Sequence, residues 1–330
     1  MRKTTIVLII LDILALIGFF LTYGPINYFR NFLVNTSMNT MSHQYLAYIF
    51  YNEEMVNKIL SQNYFITIDE DTNLDDIVID TKPKDHYDNE YDEAILERTP
   101  GNDDYKIINI KNGSHNGYLV AIYDPSKVKT VSKEQLGTKH GERLITMCTR
   151  DNALVCINGG GFMDEGWGSG IPYGPVIKDS KIIWDDGASG SVIGFNKDDK
   201  LVLVNTNAVD ALNKHNIRDG FQFGPFLIVN GKPMTIVGDP WGKSPRVAIA
   251  QRKDGIVLFL VMDGSDLYAG GATLEDMINI LTKYGAHNAA NLDGGTSTTL
   301  VVNNKIHNDL TYKTKDQGGR YVVNGFGLIP

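Results

Sequence analysis

The sequence predicts an α+β fold of mixed, largely antiparallel sheet with few helices, preceded by one transmembrane helix and a helical, acidic stalk. Three observations lead there. Thr4 to Tyr23 is an apolar run broken by a single charge, Asp12. Asn63 to Asp104 holds fourteen Asp and Glu against three Lys and Arg. From Tyr105 onward, short apolar runs alternate with Gly, Asn and Asp turns, and few stretches show helical spacing.

The first run is long enough to cross a bilayer: about twenty residues rising roughly 1.5 Å each span about 30 Å, the thickness of the hydrocarbon layer. Arg2 and Lys3 precede it, which keeps the N-terminus cytoplasmic. Asp12 costs about 2.5–3.5 kcal/mol on insertion scales, and the surrounding Ile and Leu offset it. The following residues, Gly24-Pro-Ile-Asn-Tyr-Phe29, offer no small-x-small cleavage site, so an uncleaved signal anchor is expected. The expected protein is thus single-pass in the cell membrane, partnered with the cytoplasmic membrane through this helix, with everything after it extracytoplasmic. Three regions follow: 1–24 as cytoplasmic tip and anchor, 25–104 as helical stalk and acidic linker, and 105–330 as the main globular domain.

Within the stalk, Met38 to Leu60 carries apolar residues at 45, 46, 49, 50, 55, 56, 59 and 60, which predicts one helix, as a stalk or docked on the globular part. Its aromatic cluster also suits a membrane interface. The acidic block nets −11 in a chain of −8, so the rest carries +3. Such a block argues against nucleic acid as a partner, and the mildly basic remainder permits an anionic substrate. Asp69 to Asp80 has alternating oxygen ligands, but Leu74 stands where a calcium loop turns on Gly, and Asp80 replaces the closing Glu. The block therefore reads as a solvated, partly disordered linker with one short strand.

In 105–330 the hairpins are explicit, with turns at Lys178-Asp-Ser-Lys181, Lys197-Asp-Asp-Lys200, Asn230-Gly231 and Lys253-Asp-Gly255. Ser132 and Gln135 form a capping-box pattern, predicting a helix to about Arg150. Thr273 and Asp276 form another, predicting a helix to Tyr284 that stops at Gly285. Cys148 and Cys156 read as two buried thiols, with a disulfide in an oxidising compartment as the alternative. No Cys-x-x-Cys or His-Glu-x-x-His spacing is present, so no dedicated zinc site is expected.

Three strands end in one chemistry: Asn158-Gly-Gly-Gly-Phe-Met-Asp164, Asp263-Gly-Ser-Asp266 and Asp293-Gly-Gly-Thr-Ser-Thr298. Each delivers an Asn or Asp followed by Gly, whose freedom at positive φ lets successive N–H groups face one concavity and hold an anion. Arg246 opens a strand from a Pro-bearing loop and suits bidentate phosphate contact. Serine-hydrolase readings fail, because neither Gly187-Ala-Ser-Gly-Ser191 nor Gly166-Trp-Gly-Ser-Gly170 fits a nucleophile elbow.

These segments occur in a fixed order: Cys156-Ile-Asn-Gly-Gly-Gly-Phe162, Gly224-Pro-Phe-Leu-Ile-Val-Asn-Gly-Lys232, Pro245-Arg-Val-Ala-Ile-Ala250 and Val261-Met-Asp-Gly264. Gly285-Ala-His-Asn-Ala-Ala-Asn-Leu-Asp-Gly-Gly295 and Gly319-Arg-Tyr-Val-Val-Asn-Gly-Phe-Gly-Leu-Ile-Pro330 complete the series. Together, over roughly Tyr105 to Pro330, the chain resembles the phosphodiester glycosidase family, whose bacterial members are often labelled exopolysaccharide-related. Gly161, where many members have an aromatic, and Thr296, in place of a third glycine, depart from the pattern. The resemblance implies hydrolysis of a sugar-1-phosphate diester at the anomeric carbon, in cell-surface glycopolymers or glycoconjugates. Asp293, Asp263 and Arg246 are then the catalytic candidates. Asn158, Gly159, Gly160, Gly161, Asp164, Gly294, Gly295, Ser297 and Thr298 are the candidates for binding an anionic glycan phosphodiester. No cofactor is required, although the same carboxylates are compatible with Mg²⁺ or Ca²⁺. The alternatives are a metal-dependent phosphodiesterase cleaving P–O and a non-catalytic wall-polymer binding protein.

Overall fold

The structure is a computed structural model that describes residues 3–25, 27–38, 44–80, 82–84, 86–113, 115–164, 170–264, 270–311 and 314–330. The chain divides into two compact units, Met1–Phe65 with Ile236–Gly242, and Ile66–Thr235 with Lys243–Pro330.

The first unit is helical. Helix α1 (Lys3–Tyr23) is the apolar run of the sequence, followed by α2 (Asn27–Met38), α3 (Tyr45–Phe50) and α4 (Glu53–Leu60). The single helix expected over 38–60 is two: the backbone is extended at Tyr51, and the Asn52 side chain accepts from the Met55 N–H to start α4. An N-cap of this kind satisfies a donor that a continuous helix would use internally. Val34, Ala47, Tyr51, Val56 and Ile59 form the small core that joins α2, α3 and α4. The segment 236–242 packs into this unit through Trp241, whose ring meets Phe65 edge-on, and through the Asp239 N–H, which donates to Asn63.

Among the described residues the second unit contains three large antiparallel sheets, and Glu142–Arg143 pairs with Tyr321–Val322 in a small two-stranded one. The largest runs in the order Lys232–Pro233, Phe226–Val229, Ala286–Leu292, Arg246–Arg252, Val257–Met262, His115–Ile122, Tyr105–Asn112. A five-stranded sheet runs Lys305–Ile306, Leu300–Val302, Val155–Asn158, Asn324–Leu328, Val128–Ser132. The other five-stranded sheet runs Leu201–Thr206, Gly190–Asn196, Ile217–Gln222, Val176–Lys178, Lys181–Trp184. Alternation along each strand sends Val247 and Ile249, Val155 and Ile157, and Ile193 and Phe195 into one shared core. Intervening residues such as Cys156 and Val192 face outer layers, where helices cover them. Those helices are α5 (Glu90–Leu96), α6 (Leu144–Arg150), α7 (Ala208–Asn213) and α8 (Leu274–Lys283). The hairpin turns lie where the sequence puts them, with Asp179, Ser180, Asp199, Asn230 and Gly231 at positive φ. The Thr273–Asp276 capping box closes at the start of α8.

Three expectations are corrected. Ser132 does not open a helix: it pairs with Asn324 at the end of a strand, Gly137 turns the chain at φ +81°, and the helix begins only at Leu144. The acidic block is no free linker. Its backbone bonds to the sheet unit, Val78 N–H to Lys253 and Asp80 N–H to Asp254 at 2.9 Å each, and Ile77 and Ile95 are buried. Its carboxylates meet cations, Asp92 on Arg252 at 2.7 Å and Glu70 on Lys232 at 2.9 Å, so charge that looks solvated in the sequence is used as a strap. Cys148 and Cys156 are bonded to each other, tying α6 to the strand beneath it.

Phe326 lies at the centre of the shared core between Phe195 and Phe221, with ring centroids 5.9 and 4.4 Å away. Phe326→Ala is expected to lower unfolding free energy by about 3–5 kcal/mol through the cavity it leaves. Equilibrium urea unfolding checks this; a loss under about 1 kcal/mol would mean the three sheets do not share one core.

Candidate active site

The strand Arg246–Arg252 lies between Val257–Met262 and Ala286–Leu292, with Arg246 opposite Met262 and Val247 opposite Leu292. Because both neighbours are antiparallel to it, their last residues flank its first. Asp263 and Asp293 therefore leave the sheet on either side of Arg246, their backbones two strand spacings, or roughly 10 Å, apart. Pro245 is wedged at this edge. A Cβ on Gly264 would lie 2.4 Å from the Pro245 ring, and one on Gly294 would lie 2.7 Å from its carbonyl oxygen. The glycine after each Asp is what lets Pro245 approach.

A second sheet reaches the same place. The Asp293 N–H donates to the Gly159 carbonyl at 2.8 Å, and the Asn158 amide nitrogen donates to the Asp293 carbonyl at 2.6 Å. The Asn158 amide oxygen accepts from the Thr299 N–H at 2.9 Å. Asn158 is fully buried and acts as a strut behind the Asp293 turn, which corrects the expectation that it faces a ligand. The anion cradle expected of the glycines is also corrected. The Gly159, Gly160 and Gly161 N–H groups donate to the Asn324 carbonyl, the Asn324 side chain and the Gln222 carbonyl, and the Gly295 N–H donates to the Pro245 carbonyl. Those donors are spent inside the protein. Gly159 is required by packing instead, since a Cβ there would lie 2.1 Å from the Phe221 ring.

Side chains supply the site's charge. Asp164 and Arg320 form an ion pair at 2.5 Å, the Arg320 guanidinium lies over the Phe162 ring, and it donates to the Thr296 hydroxyl at 3.1 Å. Arg320 is close enough to Asp293 to favour its ionised form, and Asp164 opposes it. Loss of hydration outweighs these charges, and the Asp293 carboxyl is pushed up to about 6. Asp263, 5% exposed, is likewise raised to about 6 by burial, with the Asn308 side chain and the Asp309 N–H lowering it in part. These neighbours approach without good geometry: both Asp263 oxygens, Asp293 Oδ2, Ser297 Oγ and Thr298 Oγ1 have no well-aligned hydrogen-bond partner among the described residues, although Ser297 lies close enough to Asp293 to favour its ionised form. Buried polar atoms are nearly always satisfied, so a group of poorly satisfied ones at converging strand ends makes this place the candidate site.

Arg246 is 6% exposed, and its Nε donates to the Ala272 carbonyl at 3.2 Å. Arg320 and Asn324 were not singled out as functional residues from the sequence, although both stand in the Gly319-Arg-Tyr-Val-Val-Asn-Gly segment. Asp266 and residues 166–169 lie outside the described residues. Among the described residues, no three His, Cys, Asp or Glu side chains are grouped to hold a metal ion.

The sequence profile of a family described as phosphodiester glycosidase matches residues 151–329. The chain is similar to the SPbeta prophage-derived uncharacterized protein YomE of Bacillus subtilis (strain 168), with 32% identity over 197 residues. That match covers 57% of this chain and spans 30% of the relative's length. Among solved structures the fold is similar to the zebrafish N-acetylglucosamine-1-phosphodiester alpha-N-acetylglucosaminidase catalytic domain auto-inhibited by pro-peptide. The TM-score is 0.58 at 22% identity, covering 69% of this chain and 82% of that one.

The raised Asp263 carboxyl has a consequence for stability. A folded-state value near 6 against the ordinary 3.8 means that the native protein holds this proton more firmly than the unfolded chain. The stabilisation is complete below about pH 4 and is lost as pH rises through about 6. Asp263→Asn removes the buried charge and is expected to raise stability at pH 7.5 by on the order of 2–3 kcal/mol, with little effect at pH 4. Thermal unfolding at the two pH values checks this; an equal change at both would show that the carboxylate is solvated.

Proposed function

We propose that this chain, which belongs to the phosphodiester glycosidase family, hydrolyses the bond between the anomeric carbon of a sugar and its phosphate in phosphodiester-linked glycans. The observation that carries the reading is Asp293: a desolvated carboxyl beside the Asp164–Arg320 pair and the Ser297 and Thr298 hydroxyls. A phosphate monoester leaves readily, so the demand for a strong general acid, central to ordinary glycoside hydrolysis, is relaxed. What the reaction needs is negative charge facing C1 as positive charge develops there, and positive charge on the departing phosphate. Asp293 meets the first need, as nucleophile or as base for water. With a value near 6 it is mostly ionised at pH 7 yet poorly hydrated, which strengthens its field.

Arg320 is the principal phosphate ligand in this scheme, with Arg246 at the strand start as the second cation. Ser297 and Thr298 donate to sugar hydroxyls or phosphate oxygens, and Asp263 assists from the neighbouring strand end. The bond broken is C1–O: phosphate keeps the bridging oxygen, water supplies the new C1 hydroxyl, and its proton passes to Asp293.

The substrate class proposed is extracytoplasmic glycopolymer carrying sugar-1-phosphate links, presented to a protein held in the cell membrane by α1. Two features support this. One helix among the described residues, Thr5–Tyr23, is long and apolar enough to cross a membrane, and all of it but Thr22 is exposed. The Cys148–Cys156 bond suits an oxidising compartment outside the cytoplasm.

A panel of sugar-1-phosphate diesters tests the reading. Hydrolysis in ¹⁸O-labelled water is expected to put label on the sugar C1 hydroxyl; label on phosphate would instead assign P–O cleavage. Asp293→Asn is expected to cut turnover at least about a hundredfold with the circular dichroism spectrum unchanged, and near-normal activity would remove Asp293 from the mechanism. Wild-type kcat/KM should rise with pH through about 6 as that carboxyl ionises. Arg320→Gln is expected to lower kcat/KM by about 10–100-fold, the worth of one charged hydrogen bond. An unchanged value would leave the phosphate to Arg246 alone.

A further inference from the structure

We propose that α3, with Tyr23 beside it and Tyr28 at the start of α2, forms an aromatic collar that lies in the interfacial layer of a lipid bilayer, where α1 leaves the hydrocarbon. The inference rests on reading α1 as a membrane span. Helix α3 is apolar on every side: Tyr45, Leu46, Ala47, Tyr48, Ile49 and Phe50. Its inward side is accounted for, because Ala47 is buried and packs with Val34, Val56 and Ile59. The opposite side is not. Tyr45, Tyr48 and Ile49, at i, i+3 and i+4 on one face, are 57%, 47% and 61% exposed, and Phe50 beside them is 40% exposed. A helix apolar all round is normally buried in protein or in lipid, and in this unit half of its surface has neither.

The position of α3 along α1 identifies the occupant. The Tyr51 hydroxyl donates to the Thr22 carbonyl at 3.0 Å, and the Tyr23 hydroxyl donates to the Phe50 carbonyl at 2.9 Å. The Tyr23 and Tyr51 rings also meet, 6.1 Å apart. Thr22 and Tyr23 are the last residues of a 21-residue helix, and a span of that length, about 30 Å, matches the hydrocarbon thickness. The exposed face of α3 is thereby pinned at the depth of one headgroup layer. Tyr28, in the first turn of α2 and 81% exposed, lies five residues beyond the end of α1. Tyrosine is the side chain suited to that layer, with an apolar ring toward the acyl chains and a hydroxyl toward water. The collar would fix how far the first unit rises above the membrane.

The test uses the full chain reconstituted in phosphatidylcholine and phosphatidylglycerol vesicles. Its only two native cysteines are bonded to each other, so a fluorophore attaches to one introduced thiol at a time: Ile49→Cys in the collar, Leu14→Cys within α1, or Glu54→Cys on the exposed side of α4. Nitroxide lipids labelled near the headgroup or near the acyl-chain end then report depth. The collar predicts that position 49 is quenched roughly twofold more by the shallow nitroxide than by the deep one, position 14 more by the deep one, and position 54 by neither. Deep quenching at 14 with position 49 behaving like 54 overturns the collar and leaves the span standing. No quenching at 14 overturns the span and the collar with it, without touching the hydrolase reading. Emission at 49 that depends on protein density but not on nitroxide lipid would assign the face to a second copy of the chain and overturn the collar.

Discussion

The site depends on one stitch between two sheets. Asp293 ends a strand of the seven-stranded sheet, and Asn158 and Gly159 end a strand of a five-stranded one. Two hydrogen bonds, Asp293 N–H to Gly159 and Asn158 to the Asp293 carbonyl, hold these ends together. Because the Asn158 side chain is spent on both the Asp293 and Thr299 backbones, replacing it by an apolar isostere would leave a donor and an acceptor buried and unpaired. That penalty is larger than the net gain of making the bonds. The stitch therefore fixes the backbone from which the Asp293 carboxyl projects.

What the stitch positions is unfavourable in isolation. Two carboxyls with raised values and several hydroxyls without partners reduce the stability of the folded chain. The large shared core offsets this: three sheets contribute Val, Ile, Leu and Phe side chains to a single cluster, and the cores beneath α6 and α7 add to it. Asp164 and Arg320 act on Asp293 in opposite senses, so the ion pair holds a guanidinium near the carboxylate without cancelling its desolvation. In the proposed reaction an incoming phosphate would compete with Asp164 for that guanidinium, and its own negative charge would push the Asp293 carboxyl further up rather than down.

Much of this was legible in the sequence where local chemistry alone decides the outcome. Asn230-Gly231 and the Thr273–Asp276 box need only their neighbours, and both form as read. So did the strand ends carrying Asn158, Asp263 and Asp293, because a short apolar run ending in Asp-Gly is a local pattern. Tertiary partners overrode the rest. The Ser132 box is a helix start in isolation, but the Ser132 backbone is claimed by Asn324, far along the chain. The acidic block looks disordered by composition, yet Lys253 and Asp254 bond its backbone and Arg252 and Lys232 meet its charges. The glycines of 159–161 were legible as special but not as to purpose. Phe221, some sixty residues downstream, excludes a side chain at 159, and nothing local in the sequence names it.

That last point bears on how an anion could be held here at all. A glycine-rich loop binds phosphate through backbone N–H groups only if those groups are free and turned outward, as at an open helix start or nest. Here Gly159, Gly160, Gly161 and Gly295 donate inward, and the glycines at 264 and 294 serve to admit Pro245. In the function proposed, negative charge would then be met, among the described residues, by side chains: a guanidinium, with hydroxyls from Ser297 and Thr298. Side-chain ligands differ from a backbone nest in one physical respect, since their charge can be removed by a single substitution without disturbing the turn. The backbone at 159–161 and 294–295 is thus the frame of the candidate site, and in the function proposed the recognition of a phosphodiester would fall to the few long or hydroxylated side chains that the frame holds at its edge.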